Sequence, residues 1–423
     1  MNEFLERAGF ALSLHSPFFF RNVVRPELYR RVRGKDGSTD PEDVHRIALE
    51  MANRYAEVVA AHQNCFDFPE LTVDIKGIRM QPFGTAAGMD KNGDALVPFS
   101  YVFGFQTLGT VLVDGRGGND RPRIAVDGVG DAYNAQGFPS EGKDYVLGRL
   151  NRSNASRKPL IASICGLPHV IREEGAASFV PNKNRVVTSS SPMLNRVVYK
   201  EFSDIPEGEI EKALENAYHD TEALLHELDP YADGFEWNPF SPNTSTLALL
   251  RKPDIFRAYA ELVRRTAGNK LALVKMGPYE PGKKVEWLAL VDGWMGGGGD
   301  GVTAVNTYVV PKDQVPVKQW GYPSAGRSGT FLAPYRMRAV RDTRNAFPEA
   351  VIFATGGISD AEDAYDTFAQ GANAIEGYTP FTYHGVGLNR QLMAGVEKQL
   401  HRNRYGKLSN LVEDVKSAAR IAL

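Results

Sequence analysis

The sequence predicts an α/β fold of the (β/α)8 type, a TIM barrel, and three observations carry that expectation. Eight short apolar segments recur along the chain, helical patterns fill most of the gaps between them, and several of the segments end in polar residues rather than apolar ones. Ala232-Asp233-Gly234-Phe235-Glu236-Trp237 runs into Asn238-Pro239-Phe240-Ser241-Pro242-Asn243-Thr244, Gly301–Val305 runs into Asn306-Thr307, and Phe83–Gly88 runs into Met89-Asp90-Lys91-Asn92-Gly93. Carboxamides, hydroxyls and a lysine at strand ends are poor core material. They suit a polar, planar ligand held at the C-terminal rim of a barrel.

Each element has its own signature. Asp40-Pro41-Glu42-Asp43 places a capping aspartate before a proline and acids in the first turn, so a helix starts there. Val44, Ile47, Ala48, Met51, Ala52, Tyr55, Val58 and Val59 follow at helical spacing and make one apolar face. Leu71 to Met80, with Lys76-Gly77 at its centre, reads as a hairpin closing the barrel floor. The strands are expected at 83–88, 105–110, 160–165, 233–239, 271–277, 301–307, 350–357 and 374–379. The clearest helices are Glu209–Leu228, Ile255–Thr266, Pro334–Phe347 and Ala361–Gln370. Residues 167–206 are polar and weakly periodic, and read as a long loop or lid over the rim. The division is therefore a helical extension over 1–67 and a barrel over 68–423.

Composition narrows the function. The 423 residues are 43% hydrophobic, with 41 Gly and 25 Pro, which allows a large core and an appendage. A formal charge of −2 argues against nucleic acid as a partner, because phosphate binding usually leaves a basic excess. Cys65 and Cys165 are too few for a disulfide framework and lack metal-site spacing, so no metal is expected. No segment has the length and apolarity of a membrane span, the longest uncharged N-terminal run being Ala8 to Phe20. Arg21, Arg25, Arg30, Arg31, Arg33 and Lys35 nevertheless cluster beside Phe18, Phe19 and Phe20, a pattern suited to an anionic membrane surface and equally to a helical arm with a solvated basic face.

Four groups of residues carry the chemistry. Gly356-Gly357, followed by Ser359-Asp360 at a helix start, offers backbone amides to a phosphate, with Ser328-Gly329 and Tyr378-Thr379 as further donors; a lone Gly-Gly also serves as a tight turn. Lys275 lies inside the apolar strand Leu271–Met276 and Lys91 follows the end of the first strand. A buried lysine needs an anion or an electron-rich cofactor, unless its stem carries the ammonium out to water. Asn134, Asn238, Asn243 and Asn306 fall at rim positions, where four amides match a ring of alternating N–H and C=O groups such as a pyrimidine. Ser241 sits among them, with no His or Asp at the spacing of a hydrolytic triad.

In order and spacing, these residues resemble the dihydroorotate dehydrogenase family, specifically its quinone-dependent, membrane-associated class, from about Arg25 to Leu400. The specific pieces are Ala86–Gly93, Gly118-Asn119-Asp120-Arg121-Pro122-Arg123, Asn134 with Gly137-Phe138, Ser241-Pro242-Asn243-Thr244, Leu273-Val274-Lys275, Asn306-Thr307 and Gly356-Gly357. The stretch Asp40 to Arg46 looks like the N-terminal helix that forms a quinone tunnel in that class. The resemblance implies FMN on Ala86, Ala87, Gly88, Met89, Asp90, Thr110, Ser163, Asn238, Lys275, Val305, Gly329, Gly357, Tyr378 and Thr379. It implies dihydroorotate on Lys91, Asn134, Phe138, Asn238, Asn243, Asn306 and Thr307.

Serine at 241 agrees with the membrane class, since the soluble forms use cysteine. By the same resemblance Ser241 removes a proton from C5 as a hydride leaves C6 for the flavin, Thr244 and Phe138 line the proton exit, and electrons pass to a membrane quinone. Pyrimidine synthesis on the cytoplasmic face of a bacterial-type inner membrane, or at the mitochondrial inner membrane of a eukaryote, is the setting this implies. The chain departs from the family's pattern at Ser163, where Asn is usual, at Ala135, which replaces a basic residue, and at Val126, where the tunnel arginine is expected. The segments 325–329 and 167–206 are also unusual. The alternatives are a flavoprotein acting on another cyclic amide or using a soluble acceptor, and a non-redox barrel that binds a phosphorylated small molecule.

Overall fold

The computed structural model describes residues 3–422 apart from 36, 154–157, 174–184, 192–193, 200–204, 242–243 and 318–319. Eight parallel strands close into a barrel in chain order: β1 (Phe83–Thr85), β2 (Phe105–Val111), β3 (Leu160–Ile164), β4 (Gly234–Trp237), β5 (Leu271–Lys275), β6 (Gly301–Ala304), β7 (Val351–Thr355) and β8 (Ala374–Gly377). All eight expected strands are present, each shorter at its C-terminal end than the sequence suggests, except β2, which runs one residue further. Just past the strand ends, Asn238 and Asn306 line the cavity while their backbone amides still bond to the carbonyls of Ile164 and Met276.

Every residue of these strands is buried. That fits strands covered on one side by helices and filled on the other by barrel-interior side chains. The expected helices appear as Ile210–Leu228, Pro253–Ala267, Ala333–Ala346 and Ala361–Ala369. Trp237 of β4 stacks on Tyr259 of the second of these helices with ring centroids 4.1 Å apart. The hairpin pairs Val73–Ile75 with Ile78–Met80. Lys76 and Gly77 both take positive φ in its two-residue turn, as a turn of matching twist requires.

The extension is helical. It comprises α1 (Glu3–His15), α2 (Arg25–Arg31), α3 (Pro41–Arg54) and α4 (Ala56–Ala61), with a short helix at Pro17–Phe19 and a π-helical turn at Phe20–Val24. The Asp40 carboxylate caps α3 by accepting from the Glu42 amide at 2.8 Å. No helix among the described residues is long and apolar enough to cross a membrane. Much of the expected basic cluster is tied up within the protein: Arg30 and Arg31 pair with Glu27, Arg31 also with Glu6, and Arg25 donates to the Thr382 carbonyl.

Two sheets were not expected. Residues 167–206, read as a loop or lid, contain an antiparallel sheet of His169–Glu173, Arg185–Ser191 and Leu194–Tyr199, with the third strand in the middle. The β-branched pairs Val186-Val187 and Val197-Val198 favour strand despite the polar surroundings. A second sheet joins Ile124–Val126, Asp131–Asn134, Ser324–Gly329 and Tyr308–Pro311 across the barrel rim.

Candidate active site

One cavity starts inside the barrel, passes the C-terminal rim and continues between the helices of the extension. Most of the residues expected to hold a flavin line it: Ala86, Ala87, Gly88, Met89, Thr110, Asn238, Lys275, Val305, Gly329, Gly357, Tyr378 and Thr379. So do Lys91, Asn134, Phe138, Asn306 and Thr307 from the expected substrate set, and Ser241. Asn243 lies outside the described residues. Asp90 and Ser163 stand behind the wall. The Asp90 carboxylate accepts from the amides of Asp94 and Ala95 at 2.7 and 2.8 Å, which folds the loop that carries Lys91. Burial pushes that carboxyl up to about 6. Ser163 Oγ lies 3.0 Å from Thr110 Oγ1, which also accepts from Asn238 Nδ2 at 2.8 Å, so a hydroxyl on β3 fixes two cavity side chains without reaching the cavity itself.

The glycine rim has the shape of an anion cradle. Gly329, Gly356 and Gly357 have φ of 101°, 102° and 77°, and a Cβ on Gly329 would lie 2.2 Å from the Gly130 carbonyl. Only glycine fits there. Asp131 holds this loop by accepting from Arg327, Thr330 Oγ1 and the Phe331 amide, and the buried Arg336 donates to the Gly356 carbonyl and to Asp363. Ser328 Oγ and Thr379 Oγ1, 2.9 Å apart, add hydroxyls beside the same backbone. Rigid amides and hydroxyls at the ends of β7 and β8 fit a monophosphate.

Lys275 is 5% exposed and points inward with weak company. Its ammonium is 3.4 Å from Glu376 Oε2 and 3.6 Å from Glu236 Oε2. Burial works against the ammonium, but the two carboxylates outweigh it and hold its pKa above the ordinary lysine value. Glu376 shows the reverse balance: burial pushes its carboxyl up to about 7, against the pull of Lys275 and with the help of Glu236. Lys91 makes one long bond, 3.4 Å to the Gly88 carbonyl, and burial brings it down to about 8. An ammonium so poorly satisfied fits an anionic ligand.

Ser241 follows a loop pinned at several points. Asn306 Nδ2 donates to the Phe240 carbonyl at 2.8 Å, and Arg251 donates to the carbonyls of Pro239 and Ser241 at 3.3 Å while lying over the Phe240 ring. Thr244, beyond it, is buried, and its hydroxyl has no hydrogen-bond partner among the described residues. On the opposite side Asn134 Nδ2 donates to the Gly326 carbonyl at 3.2 Å, and Phe138 takes a positive φ of 57°.

The extension closes the other end. Arg123 pairs with Glu42 at 2.7 Å and Arg121 pairs with Asp40 and Asp43 at 2.8 Å, which docks the start of α3 on the rim. His45 of α3 bonds the Met89 carbonyl at 2.8 Å and packs edge-on against Tyr378; burial depresses its pKa to about 4, so the ring is neutral. Phe10, Phe20, Leu28, Val44 and Val59 make the cavity wall apolar from there outward. Val126, where the sequence comparison leads one to expect an arginine, lines this part, and Arg25 supplies a cation to the same wall, lying over Tyr29 and Tyr383 at 4.8 and 4.7 Å.

Glu236 and Glu376 were missed by sequence reasoning, although each is an acid inside an otherwise apolar strand. The signal was the one that singles out Lys275.

Comparison with known proteins agrees with this geometry. The family described as dihydroorotate dehydrogenase matches residues 70–400. The chain is 29% identical over 386 residues to a protein of Clavibacter sepedonicus named dihydroorotate dehydrogenase (quinone), covering 88% of this chain and 98% of that one. A protein of the same name from Salinispora arenicola is 30% identical over 383 residues, covering 89% and 98%. Among solved structures, the ligand-free DHODH of Eimeria tenella superposes with a TM-score of 0.68 at 24% identity, covering 88% of this chain and 98% of that one; the same enzyme with ferulenol gives 0.67. These two share the fold. With the family matched over most of its length, and with the lysines, amides, serine and glycine rim around one cavity, the chain belongs to the dihydroorotate dehydrogenase family.

Proposed function

We propose that this protein is an FMN-dependent dihydroorotate dehydrogenase of pyrimidine synthesis that passes its electrons to a membrane quinone. The observation that carries this is the single cavity with two unlike ends. Its barrel end offers a monophosphate cradle, the buried Lys275, the carboxamides of Asn134, Asn238 and Asn306, and a serine; its outer end is apolar and walled by the extension. A polar substrate and an apolar acceptor can thus reach one cofactor from different directions.

Bound FMN would supply the two-electron acceptor. Gly329, Gly357, Tyr378 and Thr379 would hold its phosphate, with Ala86, Ala87, Gly88, Met89, Thr110, Asn238, Val305 and Lys275 around the rest. Lys91, Asn134, Asn238, Asn243, Asn306 and Thr307 would orient dihydroorotate, the lysine answering its carboxylate and the amides its ring N–H and C=O groups. Ser241 takes a proton from C5, a role that requires exclusion of water because a hydroxyl is a weak base. Relatives named as quinone enzymes support the acceptor. Orotate formation with a soluble quinone tests the reading: activity is lost when the cofactor is stripped and restored by FMN. A protein that purifies colourless and takes up no FMN would contradict it.

Residues 1–67 form the quinone-access unit and the membrane attachment. Among the described residues, four of the nine exposed large hydrophobic side chains, Leu5, Leu12, Phe18 and Val23, fall in its first part, so apolar surface is concentrated where lipid contact is expected. Arg21 lies beside them. Removing 1–67 is expected to abolish quinone turnover while dihydroorotate still reduces the flavin. Unchanged quinone turnover in the shortened protein, or no binding of the full chain to vesicles containing anionic lipid, contradicts this assignment.

A further inference from the structure

The eight barrel strands carry only three ionisable side chains, Glu236 on β4, Lys275 on β5 and Glu376 on β8. All three meet inside the barrel. Glu236 is fully buried and Glu376 is 1% exposed, and neither oxygen of Glu236 has a hydrogen-bond partner among the described residues. Glu376 Oε1 accepts from Thr107 Oγ1 at 2.5 Å, while its Oε2 faces Lys275. One ammonium neutralises one carboxylate. Two ionised carboxylates beside it leave a net negative charge in a water-poor core, and such a charge is costly unless something cancels it.

Nothing on the neighbouring strands can cancel it. Facing groups such as Thr85, Thr107, Ser163, Thr303 and Thr355 do not titrate near neutrality, and Glu236, Lys275 and Glu376 are themselves the charges on their strands. The other ionisable groups around the cavity are Lys91, His45 and Tyr133 on its wall, Arg25 and Tyr29 on the wall of the extension, Tyr378 at the rim, and Asp90 behind it. Protonation of a glutamate is the remaining way to offset any further negative charge at the site. Glu376 lines the cavity, so that proton has a route to it, whereas Glu236 lies behind.

We propose that Glu236 and Glu376 form a proton-exchanging pair which takes up one proton from water when the flavin is reduced and releases it when the flavin is reoxidised. This rests on the FMN reading above. The two electrons and one hydrogen nucleus of the transferred hydride come from dihydroorotate. The extra proton comes from solvent, forms an O–H bond on a glutamate, and leaves again as the electrons pass to the quinone. No other bond changes. Negative charge gained by the cofactor draws on Lys275, which weakens its hold on the carboxylates and raises their proton affinity. The pair restores the balance.

The test is the flavin midpoint potential of the FMN-loaded protein, titrated anaerobically from about pH 6 to about pH 9 in wild type, Glu236→Gln and Glu376→Gln. One extra proton changes the equilibrium tenfold per pH unit, which is about 30 mV for a two-electron couple. The wild-type potential is expected to fall about 30 mV per pH unit more steeply than that of either variant. Because Glu376 is pushed up to about 7 before reduction, the excess slope belongs above that pH; below it Glu376 is already protonated in both redox states and the slopes converge. Should the variants fail to fold, the infrared difference spectrum of wild type on reduction near pH 8 decides, with a protonated-carboxyl band gained on reduction. Equal slopes in all three proteins, or no such band, overturn the pair. Failure to take up FMN overturns the underlying reading as well, so the two failures are distinguishable.

Discussion

Ser241→Ala is expected to slow reduction of the flavin by dihydroorotate roughly 10²–10⁴-fold while dihydroorotate still binds. The loop that carries Ser241 is held by Asn306 on the Phe240 carbonyl and by Arg251 on the carbonyls on either side of Phe240, so loss of the hydroxyl leaves the backbone in place. The binding amides Asn134, Asn238 and Asn306 are untouched by the change. Ser241→Cys is expected to keep part of the rate and to move the pH dependence downward, because a thiol ionises more readily than a hydroxyl. Single-turnover flavin reduction across pH checks both variants. Wild-type speed in Ser241→Ala would remove Ser241 from the chemistry.

Lys275→Met has the largest expected effect on stability, together with loss or loosening of the flavin. It removes the only cation that pairs with the two buried carboxyls among the described residues, and removing one partner of a buried ion pair typically costs about 3–5 kcal/mol. The sign of the pH dependence follows. With the ammonium gone, the Glu376 carboxyl, already pushed up to about 7 by burial, loses the partner that pulls it down, so it stays protonated in the folded state near neutrality and the folded state binds more protons than the unfolded chain. The variant is therefore expected to lose stability as pH rises through neutrality and to recover part of it in mild acid. Adding Glu236→Gln should restore part of the loss at neutral pH. Urea unfolding of the three proteins measures this, and a Lys275→Met protein as stable as wild type at every pH would show that the trio carries no buried charge.

The barrel is legible in the sequence because its signals are local. Short apolar runs alternate with helical patterns, and Asp40-Pro41 or Lys76-Gly77 specify a helix start and a turn with few possible readings. The cavity set is legible for a related reason, since polar residues at the ends of apolar strands have few structural uses. The rim sheet is not legible. Its strands are three to six residues long and pair Asp131–Asn134 with Ser324–Gly329 across nearly the whole barrel, so tertiary contact decides them. The sheet within 167–206 escapes notice because Ser, Asn and Arg dilute its β-branched pairs. Asp90 and Ser163 show a further limit: a motif marks residues that matter to a cavity without telling which touch the ligand and which hold those that do.

The docking of α3 joins the extension to the barrel rim. Arg121 and Arg123 sit between the rim and the acidic first turn of α3, and His45 ties the same helix to Met89, a residue of the expected flavin set. Arg25, lying over Tyr29 and Tyr383, places a cation from the extension beside the position of Val126.

The most direct measurement is anaerobic mixing of the purified, FMN-loaded protein with dihydroorotate, followed by a soluble quinone. The flavin absorbance should bleach on the first mixing, with one orotate formed per flavin, and return on the second. A flavin that stays oxidised in the presence of dihydroorotate would contradict the assignment.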